Sequence, residues 1–279
     1  MRDNAFLKKL GVEHPIFLAP LGGGPSTPEL AAAVSNAGGL GSLGVAYLTP
    51  DQIIEEIRKT RALTSRPIHV NLFCGGFAPQ SNFDPAPMLS ILGEIHAALG
   101  LPAPAAPPLP RDPFRDQFEA VLDCRPEAFS FTFGVDRSAI SKLRSRGIAI
   151  MGTATTAEEG QILADAGVDA VIAQGAEAGG HRGTFAPPFE AGMVPSLRLV
   201  REIAKIAPVV ASGGIMDGGD IRIMLDSGAF AAQLGTAFLT CPESGASPAY
   251  KRALLSAKSD TTVITRAFSG RPARGLRNE

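Results

Sequence analysis

Cysteine is scarce: Cys74, Cys124 and Cys241 are the only three in 279 residues, they lie far apart, and no two form a CxxC pair. That pattern argues against a disulfide framework and against a zinc site, and it suits a reduced, cytoplasmic setting. Charge of one sign is missing as well. Lys and Arg number 26 against 27 Asp and Glu, a formal net charge of -1, and the basic residues are scattered, so there is no field to draw in nucleic acid or an anionic membrane. No apolar run nears the roughly 20 residues that span a bilayer. The polar start MRDNAFLKKL lacks the apolar stretch of a signal peptide, so neither membrane insertion nor export is expected.

What the chain does have is rhythm. With 45% hydrophobic residues it can bury a full core. Short apolar runs alternate with longer stretches of helical period closed by glycine, the pattern of repeated βα units on a parallel sheet. Eight candidate strands fall at 16–19, 40–43, 68–73, 129–133, 148–151, 170–174, 209–212 and 229–234. Between them, TPELAAAVSNAG opens at Thr27 with Pro28 in its first turn, and Thr156 caps TAEEGQILADAG with acidic residues where the helix dipole favours them. Eight such units favour one closed TIM (β/α)8 barrel over 1–279 rather than an open doubly wound sheet. Residues 75–127 are too many for an ordinary connection, and the proline-rich text at 102–110 cannot be regular helix. A helical apolar pattern over 88–99 makes this stretch an inserted, partly helical lid over the barrel mouth. Residues 240–279 read as a small helical extension ending in the basic TRAFSGRPARGLRNE, either a solvated end or a place where arginine meets a phosphate or a neighbouring subunit.

A parallel barrel delivers every C-terminal strand end to one face, where ligands bind. The run VDAVIA stops at QGAEAGGHRG (174–183), a glycine-rich loop that lets backbone approach a flat ligand and sets His181 at its end; the plainer alternative is a mobile loop with an incidental histidine. Ser212-Gly213-Gly214 and Gly235-Thr236, on adjacent strands, favour a phosphate cradle over two ordinary tight turns. Asn71 and Gln174 are strand-end amides able to donate and accept along the edge of a heteroaromatic ring such as isoalloxazine; Asn71 reads equally as a turn former and Gln174 as a polar residue of the barrel layers. Glu177 and Arg182 read as solvated or paired loop charges. His14, His69, His96 and His181 share no ligand spacing, so no metal is expected, with His69 structural and His14 at the end of the barrel away from the mouth.

The segments STPELAAAVSNAGGLGS, VNLFC, AQGAEAGGHRG, ASGGIMDGGDI, QLGTAFLTCPESGASPAY and TRAFSGRPARG, in this order, resemble the nitronate monooxygenases, formerly 2-nitropropane dioxygenases, and within them the class that oxidises propionate 3-nitronate. The resemblance covers nearly the whole chain. It implies an FMN-bearing barrel with Asn71, Gln174, Gly179, Gly214, Gln233, Leu234, Gly235 and Thr236 at cofactor contacts, Gly213 beside them, and Leu21 where relatives often carry methionine next to the flavin. His181 matches the active-site histidine. The implied partners are a small nitronate or nitroalkane and O2, with a homodimer as the candidate assembly. The implied reaction converts the nitronate to a carbonyl compound and nitrite. The cofactor carries the difficult step, and His181 serves as base toward neutral nitroalkanes or as donor to a nitronate. The class continues past its RPARG segment, so the extension here is expected to be shorter than in relatives, and Phe114 stands in a neighbourhood where relatives can present tyrosine. Two alternatives are kept: an FMN-dependent NAD(P)H reductase of the enoyl-acyl carrier protein or quinone type, which shares the EAGGH stretch, and a non-catalytic barrel that binds a phosphate ligand.

Overall fold

The computed structural model describes residues 5–75, 84–106, 111–258 and 261–277. Eight parallel strands close on one another: β1 (Ile16–Leu18), β2 (Gly41–Gly44), β3 (Ile68–Phe73), β4 (Ala128–Thr132), β5 (Ala149–Ala154), β6 (Ala170–Gln174) and, after the two-residue β7 (Gly180–His181), β8 (Val209–Ser212) and β9 (Ala231–Leu234). Their order is β1-β9-β8-β6-β5-β4-β3-β2. A bridge between Phe17 and Leu40, with the Leu18 N–H donating to the Leu40 carbonyl at 2.9 Å, joins the two ends and removes the sheet edges. This is the expected TIM barrel.

The helices are α1 (Ala5–Leu10), α2 (Pro28–Asn36), α3 (Pro50–Leu63), α4 (Ala86–Ala98), α5 (Phe114–Cys124), α6 (Arg137–Ser145), α7 (Ala157–Ala166), α8 (Ser196–Ile203), α9 (Gly218–Asp226), α10 (Thr236–Leu239) and α11 (Pro248–Ser256). Their ends follow sequence chemistry. Thr27 and Thr156 accept from the backbone N–H three residues on, which satisfies orphan donors, and α7 stops at Gly167 with φ +95°, a left-handed conformation that favours glycine.

Residues 75–113 form a compact unit of their own, containing α4, while 1–74 and 114–279 form the barrel. The inserted segment is therefore shorter than 75–127. Helix α5 belongs to the barrel, where Phe118, Val121 and Leu122 share a core with Ile53 and Ile57 of α3. Phe114 is buried at 8% exposure and stacked on Phe118 at 5.6 Å, which makes it a core residue. Within the proline-rich stretch, 101–106 has no regular structure and 107–110 lies outside the described residues, as does 76–83.

The extension is only partly helical. After α11 the chain forms an antiparallel hairpin, β10 (Thr262–Thr265) and β11 (Ala273–Leu276), and β11 pairs with β7 so that Ala273 lies opposite His181 and Arg274 opposite Gly180. The β-branched run TVIT suits a strand, and the exposed edge of β7 supplies the partner. No helix among the described residues is long and apolar enough to cross a membrane.

Candidate active site

Side chains alternate along each strand, so the barrel interior can be read strand by strand. At the N-terminal end the inward residues are apolar: Phe17, Met151, Ile172, Val210 and Ala231 pack with Leu10 and Val12. One layer toward the C-terminal ends, the same alternation presents Asn71, Thr132, Thr153, Gln174, Ser212 and Gln233. The polar mouth is thus built into the strand register, with Gln174 of β6, Ser212 of β8 and Gln233 of β9 at neighbouring register positions.

A buried network fixes Asn71. Its Nδ2 donates to Ser130 Oγ at 2.8 Å and to Thr132 Oγ1 at 3.0 Å. Ser130 Oγ also lies 2.8 Å from His69 Nε2, and His69 Nδ1 lies 2.7 Å from Ser42 Oγ. Each ring nitrogen thus faces a serine hydroxyl, which can donate or accept, so the neutral imidazole is satisfied at both positions. Burial without a charged partner lowers the His69 pKa to about 3, so the ring is neutral. His69 is a structural histidine.

His181 sits at the rim between phenyl rings, 6.4 Å from the centroid of Phe73 and 6.2 Å from that of Phe133. Its Nε2 lies 2.6 Å from Ser269 Oγ, across 88 residues of sequence, and among the described residues Nδ1 has no hydrogen-bond partner. Burial first, and the Arg271 cation second, hold its pKa below the ordinary imidazole value. Gln174 does not stand free: its Nε2 donates to the His181 carbonyl at 2.9 Å and its Oε1 accepts from Gly183 N–H at 2.8 Å, so the amide braces the loop that carries the histidine.

The glycine loops pack where side chains could not follow. A Cβ on Gly213 would lie 2.9 Å from the Ala178 nitrogen, one on Gly214 2.9 Å from Glu177 Cβ, and one on Gly179 3.1 Å from Thr236 Oγ1. Gly213 and Gly214 have φ +115° and +71°, which glycine alone adopts at little cost. A Cβ on Gly235 would make only ordinary contacts, 3.4 Å to Ala19 and 3.5 Å to Leu21. The loops after β6, β8 and β9 therefore pack closely on one another in a glycine-lined backbone cradle. Beside it Gln233 is 7% exposed, and its Oε1 has no partner. An orphaned acceptor and a backbone cradle fit a phosphorylated heteroaromatic cofactor. Leu234 is a different case: its side chain packs into the outer helical layer, so only its backbone can face the rim.

Several residues here escaped the sequence reading. Arg182 is 2% exposed rather than solvated; it donates to the Gly175, Gln174 and Gly192 carbonyls at 2.6, 3.0 and 3.0 Å. Its backbone N–H meets the Pro272 carbonyl at 2.9 Å. Glu177 accepts from Ser196 N–H and Oγ–H at 2.8 and 2.6 Å, satisfying a donor at the start of α8. Glu159, fully buried, takes four donors, from Thr155 and from the Phe185 and Ala186 N–H groups, and so pins the loop after β7. Two of the tail arginines, Arg271 and Arg274, are half-buried rather than solvated, while Arg266 and Arg277 are exposed. Arg274 donates twice to the Ala176 carbonyl, at 3.1 and 2.8 Å, Arg266 lies 5.2 Å over Phe189, and Arg271 lies 4.0 Å over Phe133. Only the RPAR text near the chain end hinted at them.

A closed β/α barrel whose polar rim gathers a histidine, an arginine and a backbone cradle is built as a small-molecule enzyme. The family profile described as nitronate monooxygenase matches residues 4–279, and the chain belongs to the nitronate monooxygenase family of oxidoreductases. It is 44% identical to a nitronate monooxygenase from Pseudomonas aeruginosa, over 98% of this chain and 79% of that protein. A crystallised nitroalkane oxidase from Streptomyces ansochromogenes superposes with a TM-score of 0.88 at 41% identity, over 99% of this chain and 79% of the other. FabK from Thermotoga maritima superposes with a TM-score of 0.77 at 29% identity, over 99% and 75%.

Proposed function

We propose that this chain oxidises alkyl nitronates with dioxygen, using FMN, to a carbonyl compound and nitrite. The observation that carries the reading is His181: a half-buried imidazole at the barrel rim, walled by two phenyl rings, with one ring nitrogen held by Ser269 and the other bare. Family membership supports the flavin. The orphaned Gln233 oxygen and the glycine cradle support a mononucleotide, with Gln233 and Asn71 meeting the ring system, the backbone of Gly179, Gly213, Gly214, Gly235 and Thr236 meeting the phosphate, and Leu21 giving an apolar contact. When bound, the flavin supplies the electron-accepting centre.

The residues of the chain supply the rest. In the base-competent tautomer, Nε2–H donates to Ser269 and Nδ1 carries the lone pair, so Nδ1 takes the α-proton of a neutral nitroalkane. Its lowered pKa keeps that lone pair available at neutral pH. A nitronate supplied preformed needs no such transfer. Gln174 and Arg182 keep the loop in register, which fixes the imidazole relative to the phenyl walls.

Purified protein, its released flavin identified by chromatography, and oxygen uptake with nitrite release from propionate 3-nitronate test the reading. Yellow protein carrying FMN, nitrite formation, and a flavin that NADH does not bleach anaerobically are the expected results. A colourless protein, or rapid bleaching by NADH without nitronate turnover, would overturn it. His181→Asn is expected to retain flavin, lose most turnover of nitroethane, and keep more of its turnover of ethyl nitronate; equal losses on both remove the base assignment.

A further inference from the structure

We propose that Arg271 receives the negative charge of the substrate's nitro oxygens, acting opposite His181 on the same molecule; this rests on the nitronate reading above. The placement of Arg271 is determined by the loop that carries the histidine. Pro272 accepts from the Arg182 backbone and Ala273 pairs with His181, so the turn bearing Arg271 is fastened to β7. Its guanidinium carbon lies 4.0 Å from the centroid of Phe133, and that same phenyl ring lies 6.2 Å from the imidazole, so cation and base share one aromatic wall. Phe133 holds this shelf with φ +71°, a conformation unfavourable for a bulky side chain and retained here at the site.

The decisive feature is the missing partner. Arg182 and Arg274 each donate to backbone carbonyls, and Arg66 and Arg61 pair with Glu13 and Glu127. Among the described residues no carboxylate and no carbonyl meets the Arg271 side chain, although it is half-buried. The ionisable group that acts on it is Tyr47, a phenol. A partly desolvated guanidinium without a counter-ion beside a base is a site for an anion.

The chemistry fits. When Nδ1 of His181 takes the α-proton, the C–H electron pair becomes the carbon–nitrogen double bond and one unit of charge moves onto the two nitro oxygens. No oxidant enters this step. A planar pair of oxygens sharing one charge matches the guanidinium fork, which a point-charge lysine does not.

Arg271→Met and Arg271→Lys are compared with the unmodified protein on nitroethane, ethyl nitronate and propionate 3-nitronate, with flavin content and far-UV circular dichroism as controls. Loss of a charged hydrogen bond predicts a rise of about 10- to 100-fold in KM for ethyl nitronate in Arg271→Met, and partial recovery in Arg271→Lys. Nitrate, a planar inert anion, is expected to compete with nitronate in the unmodified protein and at least tenfold more weakly in Arg271→Met, by the same hydrogen-bond loss. Should Arg271→Met fail to fold, weakened nitrate competition in Arg271→Lys supports the proposal and undiminished competition overturns it. A loss confined to propionate 3-nitronate would show that Arg271 serves the distal carboxylate, and unchanged kinetics would show no role; either overturns the proposal alone. Absence of nitronate turnover in the unmodified protein would overturn it together with the reading beneath it.

Discussion

His69 should make the barrel sensitive to acid in a way that one substitution reveals. The ring is 1% exposed, both nitrogens are engaged by serine hydroxyls, and its pKa in the fold is about 3 against an ordinary 6.5. In the unfolded chain it titrates near the ordinary value. Between these two values the unfolded state binds a proton that the folded state does not, so stability falls as pH drops through about 6.5 and stops falling from this source below about 3. The slope approaches about 1.4 kcal/mol per pH unit, which amounts to about 2.5 kcal/mol lost between neutral pH and about pH 4.5.

Other groups titrate in the same range, so the measurement is a difference. Flavin-free unmodified protein and His69→Gln are unfolded in urea at a series of pH values; far-UV circular dichroism is the probe, since the chain has no tryptophan and only two tyrosines. At neutral pH the variant is less stable, by about 1–3 kcal/mol, because it cannot satisfy both Ser42 and Ser130. On acidification the gap narrows by about 2.5 kcal/mol near pH 4.5, and it reverses where it began smaller than that. A gap that stays constant within about 0.5 kcal/mol would mean that His69 titrates near its ordinary value, and the dry interior argued from its neighbours would be wrong.

Gln233→Met is expected to leave stability unchanged or raise it by about 1 kcal/mol, since a buried unpaired carbonyl disappears, while flavin retention falls; a clear loss of stability with full flavin content would refute the orphan's role. Gly214→Ala is expected to cost about 1–3 kcal/mol in urea unfolding and to weaken flavin binding, because φ +71° and the Glu177 side chain both resist a methyl group. The acid limb of the pH profile for kcat/KM on nitroethane should lie below the ordinary histidine value, because burial and then Arg271 lower the His181 pKa. Arg271→Met should move that limb upward, and a limb that stays in place would show that the cation does not act on the ring.

The barrel was legible because each strand is a short apolar run cut off by glycine or a polar residue, and that signal is local. Strands 68–73, 170–174 and 209–212 match the observed bounds, and the others differ by one to three residues at an end. His181 was legible for the same reason: it follows a strand within a glycine loop. Its neighbours were not. Ser269 reaches it, and the Pro272 carbonyl reaches its neighbour Arg182, from a hairpin about 90 residues away, and no local period announces that β7, two residues long, will accept β11 as a partner. Arg182 read as a loop charge because burial of a cation depends on carbonyls from Gly175 and Gly192 that only the folded loop supplies. The candidate site lies where two distant segments are laced together by backbone pairing, so local pattern finds the histidine proposed as base and its glycine bed. The groups that orient that base and the cation that faces it follow only from tertiary structure. Residues in the hairpin turn should therefore affect the chemistry as strongly as residues in the glycine loop, although only the loop is conspicuous in the sequence.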